Sequence, residues 1–260
     1  MPHVHFLEGF PFLLNRTDLT ALTIAFLVVL TMPIFAVVSR GRPRDADVAR
    51  RPTTILLGYW IRDWVMWFIG PLDRFLIRNR VSPDVFNWLG LGFGLASAVA
   101  YSYGQLALAA WMVLLGGAAD ILDGRIARAR NICSAYGDFL DSTLDRFSEV
   151  FSFLGIAIYL SADLWMVMAC MLALSASLLV SYARARGEVL GVDFAGGLMQ
   201  RAERLVLLAL ASFLDAPITA YYSMPAGTLL AYTVAGIGVA SMWTAVHRTY
   251  AIARVLKQRD

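Results

Sequence analysis

The sequence LTALTIAFLVVLTMPIFAVV occupies residues 19–38 and contains no charged side chain. A helix of about 20 apolar residues is long enough to cross the hydrocarbon layer of a membrane. The segment is too long for the apolar core of a signal peptide and has no clear small-residue cleavage site after it. We therefore interpret it as a retained membrane anchor.

Comparable apolar segments follow along the chain, at 85–103, 106–122, 140–160, 165–182, 205–214 with some extension, and 229–246. Of the 260 residues, 59% are apolar and 16% are charged, and the mean hydropathy is +0.64. Soluble domains carry roughly 45–50% apolar and about 25% charged residues, and disordered chains are less apolar still. The composition excludes both classes and indicates an all-α integral membrane protein with seven predicted spans.

Basic residues lie on one side of these spans. Lys257 is the single lysine among the 22 basic residues, and the connections at 102–105, 161–164 and 215–228 contain neither lysine nor arginine. The alternate connections and the C-terminus carry Arg40, Arg42, Arg44, Arg50, Arg51, Arg74, Arg78, Arg80, Arg125, Arg128, Arg130, Arg184, Arg186, Arg201, Arg204, Arg254, Lys257 and Arg259. By the positive-inside rule that side is cytoplasmic, so the N-terminus is predicted outside and the C-terminus inside.

The segment before the second span differs from the spans. Residues 40–54 form a charged linker that contains prolines, and residues 55–80 alternate aromatic with charged side chains. The aromatic spacing is helical, which is typical of a helix that lies in the headgroup layer. We expect three parts: an N-terminal transmembrane helix with its linker (1–51), an interfacial amphipathic helix (52–80) and a six-helix transmembrane bundle (81–260).

Five aspartates fall within 26 residues at the cytoplasmic ends of the third and fourth spans. Each acidic group inside a span costs about 2.5 kcal/mol or more, so each needs an explanation. On helices, Asp120 and Asp123 share one face, as do Asp141 and Asp145, and two antiparallel helices would bring both faces together. Asp138 comes at the start of its helix, where a capping charge explains it.

Four converging carboxylates in a low-dielectric site cannot all stay ionised without cations. Oxygen ligands without nearby His or Cys favour Mg²⁺, with Mn²⁺ or Ca²⁺ as alternatives, and four of them suit two ions that neutralise a pyrophosphate. Gly124 and Gly137 leave room for a nucleotide or phosphate near the backbone, and Arg128 is placed to clamp a phosphate. The alternative, a set of helix-end charges, would need no fixed spacing.

The spacing D-x2-D-G-x2-A-R-x8-G-x3-D-x3-D resembles the signature of the CDP-alcohol phosphotransferase family. Its positions are Asp120, Asp123, Gly124, Ala127, Arg128, Gly137, Asp141 and Asp145. The resemblance covers about residues 70–260. It implies metal-dependent transfer of a substituted phosphate from a CDP-linked donor to an alcohol with release of CMP, a homodimer, and an active site that faces the cytoplasm from the inner (cytoplasmic) membrane.

The resemblance also implies roles for these residues. Asp120, Asp123 and Asp141 would be the principal ligands of two Mg²⁺ ions, with Mn²⁺ as the alternative metal. Asp145 would ligate the second ion and act as general base on the acceptor hydroxyl. The nucleotide-binding positions would be Asp123, Gly124, Ala127, Arg128 and Gly137. Pro83 begins the second span like the family's P-[ND]-x-x-T entrance, but Asn87 stands where Thr is common.

The second basic loop indicates the acceptor. Residues 181–188 (SYARARGE) and 196–205 (GGLMQRAERL) resemble the S-Y-x-K-A-R-A-E and G-G-x-x-E-R-x-E-R-L stretches of bacterial phosphatidylinositol-phosphate synthases. The resemblance assigns Ser181, Arg184 and Arg204 to the acceptor phosphate, and Arg248 on the last span is the expected fourth residue. Arg184 replaces the usual Lys, which keeps the charge but changes its reach. The alternative is that these arginines only set the topology and pair with helix-end acids.

The predicted function is transfer of the phosphatidyl group of CDP-diacylglycerol to inositol phosphate. Its partners would be that donor, a phosphorylated polar alcohol, membrane lipids and a second copy of the chain, but no nucleic acid. The alternative is phosphatidylglycerophosphate synthesis, with glycerol 3-phosphate as acceptor, or another reaction of the same family. From a different class, a divalent-cation or proton transporter would place its acidic site near the membrane midplane at broken, repeated helices, whereas these aspartates lie at helix ends and no repeat is seen.

Overall fold

The computed structural model describes residues 16–41, 43–49, 57–194 and 196–259. Within these ranges the regular structure is entirely α-helical, which confirms the predicted class. The helices are α1 (Arg16–Val29), α2 (Thr31–Val38), α3 (Ala46–Ala49), α4 (Tyr59–Arg78), α5 (Pro83–Ser102), α6 (Leu106–Ala129), α7 (Ala135–Tyr159), α8 (Leu164–Val189), α9 (Arg201–Tyr221) and α10 (Thr228–Lys257). The linker residues Arg42, Arg50, Arg51 and Pro52 lie outside the described residues.

Six helical segments are long and apolar enough to cross a membrane, judged by length and composition. They are Asp18–Val38, Pro83–Ser102, Leu106–Ala129, Leu164–Val189, Arg201–Tyr221 and Thr228–Lys257. The protein is therefore a multi-pass membrane protein. The remaining predicted span coincides with α7, which has 25 residues but carries five charged ones in its first four turns. Because α7 packs against both α5 and α8, it belongs to the helical bundle.

The N-terminal anchor is one apolar segment long enough to span the membrane, and its helix is interrupted once, at Leu30. α1 ends at Val29 and α2 begins at Thr31, with Leu30 in a turn between them. Pro33 explains the break, because proline has no N–H to donate to the carbonyl four residues earlier and its ring clashes with that carbonyl. The anchor packs on the bundle through α1, where the Trp111 indole Nε1 donates to the carbonyl of Ala21 at 3.0 Å.

Helix α4 corresponds to the predicted amphipathic helix and is not among the six apolar segments. Part of its aromatic face packs against α2. The ring centroid of Phe35 lies 5.6 Å from those of both Trp60 and Trp67, and the Trp64 Nε1 donates to the Thr31 Oγ1 at 3.0 Å. The aromatic stripe therefore joins α4 to the N-terminal anchor, and its predicted place in the headgroup layer remains a prediction.

Close helix packing depends on small residues where α5 meets α7. A Cβ added at Gly94 would lie 2.6 Å from the Ser148 side chain, and one at Gly155 would collide with the backbone of Ala98. The neighbouring Gly92 has nothing within 4 Å of an added Cβ. Glycine at the first two positions lets the two backbones approach, which brings the N-terminal half of α7 close to α5 and α6.

The charged helix ends meet at one end of the bundle. α6 ends and α7 begins there, and α8 and α10 end there as well. Arg130 on the turn after α6 donates to the Val81 carbonyl before α5 at 2.9 Å. Arg259 after α10 donates to the Gly191 carbonyl after α8 at 3.1 Å. The acidic signature thus lies at the arginine-rich end.

Candidate active site

Three of the four predicted carboxylates converge between α6 and α7. Oxygen atoms of Asp120, Asp141 and Asp145 all lie within 4.8 Å of one another. The start of α7 is fixed by Ser134, whose Oγ accepts a hydrogen bond from the Gly137 N–H at 3.1 Å. The helical spacing and the antiparallel turn therefore produce the cluster expected from the sequence. Asp138 is an exposed acidic residue in the first turn of α7, but the capping hydrogen bond predicted for this position is made by Ser134 instead.

Asp123 is not a member of this three-carboxylate group. Its side chain is buried, its Oδ1 accepts from the Gly124 N–H, and its Oδ2 is buried without a hydrogen-bond partner among the described residues. A buried carboxylate oxygen without a partner is costly and calls for an ion or a ligand. Together with the Asp120 carboxylate one helical turn away and those of Asp141 and Asp145 on α7, it fits a hard divalent cation such as Mg²⁺ or Mn²⁺.

A guanidinium group lies inside the acidic cluster. The Arg201 Nη1 is 3.0 Å from the Asp120 Oδ1 and 2.5 Å from the Asp145 Oδ2, while its Nη2 donates to the Asp145 Oδ1 at 2.6 Å. The sequence analysis interpreted Arg201 only as one of the charges that set the membrane topology. Its position at the start of α9 carries it across the ends of α6 and α7, where it supplies the positive charge that the carboxylates need.

A second chain of charges connects Asp145 with the predicted acceptor residues. The Arg146 Nη1 donates to the Ser181 Oγ and lies 3.5 Å from the Glu149 Oε2, and the Arg146 Nη2 is 3.8 Å from the Asp145 Oδ2. The Glu149 Oε1 accepts from the Arg204 Nε at 2.7 Å. Sequence analysis missed Arg146 and Glu149, although two charges inside a predicted span were themselves a signal.

The predicted acceptor arginines have separate partners. Arg204 is 1% exposed and is held by Glu149. Arg248 is 3% exposed and donates to the carbonyls of Val180 at 2.8 Å and Gly196 at 3.0 Å. Arg184 is half-exposed and pairs with Glu188 one turn later at 2.8 Å. Joint binding of an acceptor phosphate by these residues therefore remains a prediction.

The loop before α9 is held in place by short contacts. Thr244 Oγ1 accepts from the Met199 N–H at 3.0 Å, and a Cβ at Gly197 would collide with the Thr244 side chain. Gln200, which replaces the common Glu, still begins α9 in a capping box with the buried Glu203. This capping fixes the first turn of α9, which carries both Arg201 and Arg204.

The nucleotide side of the signature is covered by α3. The Arg128 Nε lies 3.2 Å from the Asp47 Oδ1, and its Nη2 donates to the Asp47 Oδ2 at 3.3 Å. A Cβ on Gly124 would lie 2.9 Å from the Arg128 Nη1, so the guanidinium crosses directly over this glycine. Ala127, on the same turn, is half-buried.

A narrow cleft of about 30 Å³ lies beside the acidic cluster between α5, α6, α7 and α9. Its polar wall contains Asp145, Ser148, Glu149, Arg201 and Arg204, and glycines line the opposite wall. The cleft thus joins the candidate metal site to the buried Glu149–Arg204 pair. The side chains that line it include the predicted general base and two arginines.

Residues 80–251 match the profile of the CDP-alcohol phosphatidyltransferase family. A phosphatidylinositol phosphate synthase of Cutibacterium acnes is 38% identical over 144 residues, which is 54% of this chain and 69% of that protein. An archaetidylinositol phosphate synthase of Methanothermobacter thermautotrophicus is 36% identical over 56% of this chain and 75% of its own length.

Solved structures give the same result. The crystal structure of Mycobacterium tuberculosis phosphatidylinositol phosphate synthase with CDP-DAG bound is 30% identical, with a TM-score of 0.62 over 70% of this chain and 92% of that one. The same enzyme in complex with manganese and citrate gives the same identity and TM-score. The matched residues contain the whole acidic signature and well over half of the sequence, and the chain belongs to the CDP-alcohol phosphatidyltransferase family.

Proposed function

We propose that this membrane enzyme transfers the phosphatidyl group of CDP-diacylglycerol to inositol phosphate and releases CMP. The observation that carries the proposal is the convergence of Asp120, Asp141 and Asp145 beside a buried network that leads to Ser181 and Arg204. The carboxylate cluster suits the chemistry of the family, which depends on divalent cations. The buried network places a serine and arginines next to this cluster, which suits an acceptor that carries a phosphate.

In the proposed reaction the inositol hydroxyl attacks the phosphorus that is bonded to the diacylglycerol oxygen. The bond from that phosphorus to the CMP oxygen breaks, and the hydroxyl proton passes to Asp145. Two Mg²⁺ ions, held by Asp120, Asp123, Asp141 and Asp145, would neutralise the diphosphate and the departing phosphate of CMP. The Arg201 guanidinium must move off Asp145 before this carboxylate can accept a proton, because the arginine now occupies both of its oxygens.

The names of the relatives support the acceptor. One is a phosphatidylinositol phosphate synthase and another an archaetidylinositol phosphate synthase, so the inositol phosphate headgroup is common to both names while the lipid differs. In this chain Arg184 is the acceptor-side arginine with an exposed guanidinium, which leaves it able to exchange Glu188 for a phosphate. Arginine in place of lysine there offers a two-pronged contact rather than a point charge.

An acceptor panel tests the proposal. The purified protein in detergent, with Mg²⁺ and labelled CDP-diacylglycerol, is given inositol phosphate, free inositol, glycerol 3-phosphate or serine, and both CMP and the lipid product are measured. We expect product with inositol phosphate and none with free inositol. Product with glycerol 3-phosphate alone would identify the alternative acceptor, and product only with unphosphorylated alcohols would contradict the arginine assignment.

We also propose that the acidic cluster faces the cytoplasm from the inner membrane. In support, the arginine-rich helix ends lie at the same end of the bundle as the cluster, as the positive-inside rule requires of a cytoplasmic face. Cys133 provides the test, because it is exposed in the turn between α6 and α7 whereas Cys170 is buried. A membrane-impermeant thiol reagent should label inside-out vesicles and spare right-side-out ones, and the reverse result would invert the topology.

The assembly we propose is a homodimer, as the family resemblance implies, with two Mg²⁺ ions in each copy. The molar mass of the protein in detergent, measured by light scattering, tests the first point. Titration with Mn²⁺ followed by electron paramagnetic resonance counts the ions per chain. A monomeric mass would contradict the proposed homodimer. A single bound ion per chain would contradict the proposed two-ion site.

A further inference from the structure

We propose that Asp47 is a positioning residue for the donor: it holds the Arg128 guanidinium in the orientation that receives the diphosphate of CDP-diacylglycerol. This inference rests on the proposed function. Asp47 lies on α3, before residues 80–251, which match the family. One partner of the contact, Asp47, therefore lies outside the residues that match the family.

The contact with Asp47 uses one edge of the Arg128 guanidinium, and the other edge makes no contact with Asp47. Asp47 faces the Nε and Nη2 atoms, with distances of 3.2 Å and 3.3 Å to its two oxygens. The remaining Nη1 lies over Gly124, 2.9 Å from where a Cβ would be. The paired carboxylate thus turns the open edge of Arg128 toward the glycine at which the sequence places the nucleotide.

The α3 segment is held by contacts that do not involve Arg128. The Arg125 Nη1 lies 3.1 Å from the Asp45 Oδ2, and its Nε donates to the Asp73 Oδ2 on α4 at 2.9 Å. The Asp45 Oδ1 accepts from the Asp47 N–H at 2.9 Å. Asp47 is therefore presented to Arg128 by a segment anchored on α6 and α4.

Further contacts hold the residues that precede α3. The Asp45 N–H donates to the Asp63 Oδ1 at 3.2 Å, and the Arg44 guanidinium lies 4.3 Å above the Tyr59 ring. Val48, next to Asp47, is 2% exposed. A carboxylate presented so rigidly limits the rotamers of its partner arginine.

The energetic consequence follows from side-chain entropy. A free arginine loses much rotamer freedom when it binds a phosphate, and an arginine already oriented loses less. The Arg128 side chain is 38% exposed, so water screens the repulsion between Asp47 and an incoming phosphate. Orientation therefore outweighs repulsion, and removal of the Asp47 charge should weaken donor binding.

The test compares Asp47→Asn with the wild type in the full-length purified protein. CDP with Mg²⁺ serves as the binding probe, and the KM for CDP-diacylglycerol, the KM for inositol phosphate and kcat are measured in turnover. We expect Asp47→Asn to weaken CDP binding and to raise the donor KM about fivefold, the size expected of a partly exposed ion pair, with kcat and the acceptor KM unchanged. Asp47→Glu should recover part of the loss.

Two further variants complete the design. Asp193→Asn, an exposed aspartate in the loop after α8, removes the same charge on the same side and should bind CDP like the wild type. In an Arg128→Ala background, Asp47→Asn should cause no further loss of CDP affinity. Unchanged or tighter CDP binding by Asp47→Asn, or an equal loss without Arg128, would overturn the proposal. A wild type that binds CDP but transfers to no acceptor would refute the proposed function alone, and the binding results would still decide the role of Asp47.

Discussion

The guanidinium of Arg201 contacts both oxygens of the Asp145 carboxylate, with Nη1 2.5 Å from Oδ2 and Nη2 2.6 Å from Oδ1. The same Nη1 is 3.0 Å from the Asp120 Oδ1. An arginine from α9 therefore pairs with two of the carboxylates that the signature supplies from α6 and α7, and its single positive charge offsets part of their negative charge. A divalent cation that binds these carboxylates has to compete with this side chain, so the stability of the site should depend on both.

Replacement of Arg201 by Gln should make folding depend on metal. Without divalent cations the carboxylates of Asp120 and Asp145 lose their counter-charge, which should lower the free energy of unfolding by roughly 2 kcal/mol. Mg²⁺ should then raise the Tm of the variant more than that of the wild type, since a ligand that binds the folded state stabilises it. Thermal unfolding in EDTA and in Mg²⁺ measures both effects. Arg186→Gln, an exposed arginine on α8, is the control, and equal melting of Arg201→Gln and wild type in EDTA would refute the idea.

Asp145→Asn should abolish transfer while the protein still folds. The amide cannot accept the hydroxyl proton, so we expect kcat to fall by at least about 100-fold. CMP release reports activity, and elution as a single species in detergent reports folding. Asp138→Asn, on the exposed first turn of the same helix, should keep its activity. Normal turnover by Asp145→Asn would remove this residue from the mechanism.

The buried Arg204–Glu149 pair should be essential to the fold as well as to the cleft. Arg204→Met leaves the Glu149 carboxylate without its main partner, and such a break typically costs about 3–5 kcal/mol. The double variant Arg204→Met with Glu149→Leu should recover part of the loss, because no unpaired charge remains at the pair. Thermal unfolding of the singles and the double gives the coupling energy. Additive losses would mean that the two side chains act independently.

Packing between α5 and α7 should be sensitive at Gly155 and tolerant at Gly92. A Cβ at position 155 meets the Ala98 backbone, which cannot move aside as a side chain can, so Gly155→Ala should cost about 1–3 kcal/mol. Gly92→Ala meets nothing within 4 Å and should be neutral or stabilising by about 0.5–1 kcal/mol, because alanine favours helices. The Tm values of the two variants should therefore shift in opposite directions or differ clearly. Equal shifts would show that the helices separate to accommodate the methyl group.

Much of the site followed from local periodicity. Separations of three and four residues place acids on one face of each helix, and the antiparallel turn between α6 and α7 brings Asp120, Asp141 and Asp145 together. The same spacing suggested Asp123 as a fourth member, but its side chain is buried beside the Gly124 N–H instead. Helical periodicity predicts the face of the helix on which a side chain lies, but it does not predict the side-chain rotamer. It therefore could not distinguish Asp123 from the three aspartates of the cluster.

The sequence by itself determined that the chain crosses a membrane, where its spans lie, and that an acidic metal-binding motif occupies the arginine-rich end, because hydropathy and helical spacing are local properties. The tertiary structure alone decided which cations meet those acids. Arg201 is 56 residues from Asp145, and Arg128 is 81 residues from Asp47. Such pairs depend on how whole helices pack and cross, and no local pattern encodes which of many arginines contacts a given carboxylate.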